Sequence, residues 1–87
     1  MKEANVQVTN ETGLHARPAA QVVQVATKFK SQIYAFKDGK KADTKSLVDL
    51  LGLGICQNDQ LTIRAEGKDE SRAIEQLVSL IKAINNT

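Results

Sequence analysis

Asp38-Gly39 stands between two short runs of alternating polarity, and no other dipeptide in the chain limits the fold as much. A two-residue Asp-Gly connection takes positive φ at both central positions, the geometry that folds two strands back on each other antiparallel. The run SQIYAFK before it puts Ile33 and Ala35 on one face and Tyr34 and Phe36 on the other; a short strand over Lys40–Asp43 returns beside it. Ala4, Val6 and Val8 alternate with polar residues as a first strand, and Leu61, Ile63 and Ala65 mark a fourth within QLTIRAEG. Three other stretches carry helical spacing. Ala19, Val22, Val23, Ala26 and Phe29 predict a helix from Ala16 to about Lys28. KSLVDLLGLG reads as a short helix, with Ser46 as N-cap, Asp49 in a capping-box position, and Gly52 or Gly54 closing it. Asp69 is expected to cap a last helix striped by Ile74, Leu77, Val78, Ile81 and Ile84. The order is β-α-β-β-α-β-α. At 87 residues the chain is expected to be one domain spanning 1–87. One sheet with all helices on a single face buries those stripes most economically, which makes the fold class α+β, an open-faced sandwich.

The stretch TGLHARPAA, residues 12–20, holds the only His and the only Pro. Pro18 is compatible with a helix only in its first turn, where backbone N–H groups lack helical partners. That places His15 at or near the N-cap, with its ring over the positive end of a helix, a ready anion site. A lone histidine is ordinarily a capping or surface residue. Three neighbours shift that reading toward phosphate chemistry. Gly13 permits a tight approach to the helix start, Arg17 offers a bidentate phosphate partner, and Pro18 fixes the first turn.

Composition excludes several other classes. The net charge is only +2, the lysines are scattered, and Phe29, Tyr34 and Phe36 are the only aromatics, so a nucleic-acid partner is not expected. One His and one Cys cannot fill a tetrahedral metal site unaided, so neither metal nor cofactor is expected. Cys56 reads as a small, partly buried hydrophobe rather than a nucleophile, and a single cysteine favours a reducing compartment. No Gly-rich nucleotide loop is present. The opening MKEANVQVTNE lacks the apolar core of a signal peptide, and no apolar run reaches the roughly 18–20 residues of a membrane span. A soluble cytoplasmic protein is expected.

Together, TGLHARPAA at 12–20, KSL at 45–47, LGLGI at 51–55 and the element order resemble HPr, the histidine-containing phosphocarrier family of the bacterial sugar phosphotransferase system, over essentially the whole chain. The likeness is to the Firmicute type. It implies a four-stranded antiparallel sheet in the order 1-4-2-3 under three helices. It implies that His15 accepts a phosphoryl group on Nδ1 from Enzyme I and passes it to IIA domains of sugar permeases, with Arg17 as its partner. Gly13, Ala16 and Pro18 then support the helix start. The resemblance also implies regulatory phosphorylation at Ser46, tied to carbon catabolite control, with an HPr kinase/phosphorylase and a catabolite-control transcription factor as further partners. Ala16 and Ala20 on the first helix, with Leu47 and Leu51 on the short one, are the expected docking residues. Asp49 departs from the family pattern by adding negative charge beside Ser46. Regulatory-only relatives lack the carrier histidine, which this chain has. A monomer is expected, acting as a phosphocarrier rather than an enzyme.

Overall fold

The alternation of period-two and helical segments becomes β1 (Lys2–Gln7), α1 (Ala16–Ala26), β2 (Gln32–Lys37), β3 (Lys40–Asp43), α2 (Leu47–Gly52), β4 (Gln60–Glu66) and α3 (Glu70–Asn85) in a computed structural model that describes residues 1–86. The strands form one antiparallel sheet in the order β1-β4-β2-β3. This is the expected α+β open-faced sandwich. The hairpin is as predicted: Asp38 and Gly39 both have positive φ, 52° and 80°, and Lys37 pairs with Lys40.

The faces also follow the alternation. Val6, Ile33, Ala35, Ala42, Leu61, Ile63 and Ala65 point into the core, where they meet Ala19, Val22 and Ala26 of α1, Leu50 of α2, and Ala73, Leu77, Ile81 and Ile84 of α3. The opposite sheet face is left to solvent. There Lys41 lies over the Tyr34 ring at 4.7 Å and Arg64 over the Phe36 ring at 4.6 Å, so the two aromatics are sheltered by cations rather than by a second layer.

Four local expectations change on folding. The first strand ends at Gln7, but Val8 stays fully buried and bonded to the loop before β4, its N–H donating to Asp59 O at 2.9 Å. The first helix stops at Ala26, short of Lys28, because Thr27 turns the chain and its hydroxyl bonds the Gln24 carbonyl. Asp69 occupies the N-cap position of α3 but makes no side-chain cap bond. Its carboxylate instead accepts the backbone N–H groups of Lys30 (2.9 Å) and Ser31 (3.0 Å) and the Ser31 hydroxyl, pinning the α1–β2 turn. The Ser31 hydroxyl and those N–H groups hold the Asp69 carboxyl at about 2, below its ordinary value. Cys56, finally, is exposed rather than partly buried, because it lies on the loop between α2 and β4 instead of in an element with a core face.

Candidate functional site

Thr9 to Leu14 carries the chain from β1 to α1, and its shape is held from both ends. Gly13 has φ +62°, a conformation that L side chains rarely adopt. An added Cβ would be driven into the Ile55 carbonyl oxygen and lie 2.8 Å from Cys56 Cα. The glycine is therefore needed twice, for its dihedral and for the close approach. Beside it Leu14 is buried and donates its N–H to Ile55 O at 3.1 Å. His15 follows as the N-cap of α1, with extended backbone (φ −75°, ψ −169°) and no side-chain capping bond.

The helix begins with the bond from Ala19 N–H to His15 O at 2.9 Å. Pro18 has no N–H, so the donors ahead of that bond on the helix are those of Ala16 and Arg17. The first turn contains no acidic residue, so the positive end of the helix dipole is not neutralised by its own sequence. Arg17 is exposed and takes part in none of the ion pairs among the described residues. An exposed imidazole and two first-turn amides thus share one helix start, while the Arg17 side chain, two residues on, lines the hollow between α1 and α3 rather than the depression beside His15. Free first-turn amides at an exposed helix start have the chemistry to attract an anion without enclosing it.

The imidazole borders a shallow depression of about 280 Å³ lined by Thr12, Leu14, His15, Leu51, Gly54, Ile55 and Cys56. Its far wall, the 53–59 loop, is held by Lys37, whose Nζ pairs with Asp59 at 2.9 Å and donates to Gly54 O at 2.7 Å. The shared hydrogen bond raises the Lys37 pKa and lowers that of Asp59, which also accepts the Cys56 N–H at 2.7 Å. Larger hollows lie between α1 and α3 (about 420 Å³) and beside Ala4, Ile74 and Val78 (about 440 Å³), without the histidine. Size does not choose the site; the chemistry at the N-cap does.

Leu51 brings α2 to the edge of this depression, whereas Ser46 does not line it. Ser46 caps α2 as expected, its hydroxyl accepting Asp49 N–H at 3.3 Å. The capping box is only half made: Ser46 N–H donates to Asp43 O, and the Asp49 carboxylate accepts Asp43 N–H at 3.4 Å instead. Gly54, with φ +61°, rather than Gly52, supplies the left-handed residue after the helix. Leu50 is the residue that α2 buries, leaving Leu47, Val48 and Leu51 exposed. Val48, at 81% exposure, lies outside the expected docking set and is the most open apolar residue of α2. Its apolar type could have flagged it; its direction could not be read without the helix placement. Ala16 is exposed and Ala20 half-buried on the adjoining α1 surface.

Comparison with known proteins agrees with this geometry. Residues 2–83 match the family described as the PTS HPr component phosphorylation site. The HPr-like protein Crh of Halalkalibacterium halodurans is 45% identical over 82 residues, covering 94% of this chain and 98% of that protein. The structure of HPr-C-His from Thermoanaerobacter tengcongensis superposes with a TM-score of 0.95 at 47% identity, covering 100% of this chain and 98% of that one. Crh of Bacillus subtilis, solved as a swapped-domain dimer, gives 0.77 at 40% identity over 95% of each chain.

Proposed function

The chain belongs to the HPr family of the phosphotransferase system, and on that premise we propose that it carries a phosphoryl group on His15, taken from Enzyme I and delivered to IIA domains of sugar permeases. The observation that supports this most is the exposed imidazole at the N-cap of α1 beside two first-turn amides, with Arg17 in the same turn and in no ion pair among the described residues. In the transfer, an unprotonated ring nitrogen of His15 bonds to phosphorus as the donor's bond to phosphorus breaks in line. Arg17 and the amides of Ala16 and Arg17 stabilise the charge on the phosphoryl oxygens. Their contribution is limited because the site is open, with a helix-dipole term of about 0.3–1 kcal/mol at an exposed terminus. A modest cradle suits a carrier, which must release the group as readily as it takes it. Gly13, Ala16 and Pro18 shape the helix start. Ala20, Leu47 and Leu51, with Val48 added, form the surface that meets each partner in turn.

A second reading is supported by the likeness to Crh and by Ser46 at the start of an exposed apolar helix: a regulatory module that is phosphorylated at Ser46 by an HPr kinase/phosphorylase and binds a catabolite-control transcription factor. The two roles are compatible, and the presence of His15 supports the carrier reading over regulation alone. We take the chain as a single domain acting as a monomer; size-exclusion chromatography with light scattering tests this against the dimeric relatives. No helix among the described residues is long and apolar enough to cross a membrane. The deciding experiment incubates the protein with Enzyme I and labelled phosphoenolpyruvate. An acid-labile phosphoryl group on the wild type, absent from a folded His15→Ala variant, is the expected result. An unlabelled wild type would leave the purely regulatory reading.

A further inference from the structure

The last turn of α3 reaches the His15 loop through Asn85. Its carboxamide oxygen accepts the backbone N–H groups of Thr9 (2.8 Å) and Asn10 (3.3 Å), and its nitrogen donates to the Gln7 carbonyl at 2.8 Å. One short side chain therefore takes three backbone groups at the point where β1 ends. Asn10 continues the connection. It is buried, and its Nδ2 donates to the Gly13 carbonyl at 2.7 Å while Gly13 N–H donates to the Asn10 carbonyl at 3.0 Å. Asn10 Oδ1 is buried with no hydrogen-bond partner among the described residues, so the stabilising role of this amide falls to its nitrogen. Gly13 is seated against Ile55 and Cys56, Leu14 bonds Ile55 O, and the next residue is His15.

An N-cap residue lies half outside its helix, so the incoming loop sets its backbone direction as much as the helix does. Packing of α1 on α3 holds the helix; it does not fix the path by which residues 9–14 enter it. The hydrogen-bonded run from Asn85 through Asn10 to Gly13 holds that path from the β1 side, as Gln57 Nε2 on the Thr9 carbonyl and Leu14 N–H on Ile55 O hold it from the 53–59 loop. We infer that Asn85, acting through Asn10 and Gly13, is a positioning residue for the phosphorylation of His15, an inference that rests on the carrier reading above. The ring's aim at an incoming phosphoryl group depends on an amide contributed by the opposite end of the chain.

The test uses the full chain as substrate for Enzyme I and phosphoenolpyruvate, with amide hydrogen exchange at Leu14 read in parallel. Displacement of a reacting group by a fraction of an ångström to 1 Å is expected to slow Asn85→Ala on the order of 10-fold in kcat. Its KM should stay unchanged, because the α2 surface is untouched, and Leu14 exchange should accelerate. Asn85→Asp keeps an acceptor for Thr9 and Asn10 but turns a carboxylate oxygen toward the Gln7 carbonyl, so it should restore part of kcat and not all of it. Ala73→Gly destabilises α3 without touching the loop, and it should keep wild-type kcat. Wild-type kcat and Leu14 exchange in Asn85→Ala would overturn the inference. So would an equal loss of kcat in Ala73→Gly, which would make the effect one of stability. A wild type that takes no phosphate from Enzyme I overturns the carrier reading itself, and this inference with it.

Discussion

Replacing Gly13 by alanine probes the tightest approach in the site. An added Cβ would lie 2.8 Å from Cys56 Cα and 3.1 Å from Cys56 C, with the Ile55 carbonyl oxygen closer still. All three are backbone atoms, so no side-chain rotation relieves the contact. The loop that carries them is held by Leu14 N–H on Ile55 O at 3.1 Å and by Cys56 N–H on Asp59 at 2.7 Å. Holding alanine at φ +62° costs about 1–2 kcal/mol. Parting the two loops gives up the Leu14–Ile55 hydrogen bond, worth ~1 kcal/mol. The sum is roughly 2–3 kcal/mol, a fall in Tm of 10–20 °C for a domain of this size. Two other glycines calibrate the number. Gly39 has φ +80° and nothing within 4 Å of its Cβ position, so Gly39→Ala should cost only the left-handed term, about 1–2 kcal/mol. Gly52 ends α2 in open space without positive φ, and Gly52→Ala should be neutral or stabilising by up to about 1 kcal/mol. Thermal and urea unfolding at neutral pH rank the three. A Gly13→Ala protein that melts no lower than Gly39→Ala would refute the reasoning, because the loops would then be yielding rather than packed.

Asp69 should give the domain an acid-side dependence. Its carboxyl is held at about 2 in the fold against an ordinary 3.8, so the folded state binds that proton less tightly than the unfolded chain. The stabilisation is complete above pH 3.8 and is lost as pH falls toward 2; Asp59 and Glu70 shift in the same direction. Urea midpoints between pH 5 and 2 should fall more steeply for wild type than for Asp69→Asn, and parallel slopes would count against the role. Ser46→Ala should cost about 0.5–1 kcal/mol, the lower half of the range for a cap, because its bond to Asp49 N–H is long at 3.3 Å. Ser46→Asp should keep the melting temperature and slow phosphotransfer from Enzyme I; an unchanged rate would leave Ser46 as a cap alone. Arg17→Ala should leave stability within about 0.5 kcal/mol and slow transfer to a IIA domain, with Arg17→Lys recovering only part of the rate because a point charge lacks the planar fork. Equal stopped-flow rates for all three proteins would make Arg17 a solvated surface residue.

What could be read from the sequence alone has causes that act within a few residues. Asp38-Gly39 makes its hairpin because the dihedrals it favours are those of the turn. Pro18 dates the start of α1 and so puts His15 at its N-cap, and Ser46 reaches only as far as Asp49 to cap α2. Alternation told which strand residues face the core, but not which strands are neighbours; the order β1-β4-β2-β3 entered through family likeness and not through periodicity. The misses share one cause. Asp69 has the spacing of a cap, yet its carboxylate goes to Lys30 and Ser31, which offer it more donors than its own helix does. Cys56 is hydrophobic by type but lies on a loop with no core to face, and Val48 points outward because Leu50 takes the buried side of α2. Asn85 carries no local signal at all, since its three partners lie on the β1 end of the chain. A side chain's own preferences and its near neighbours decide caps, turns and stripes; a hydrogen bond between segments distant in sequence exists only once packing has brought donor and acceptor together, and that is where the His15 loop acquires its shape.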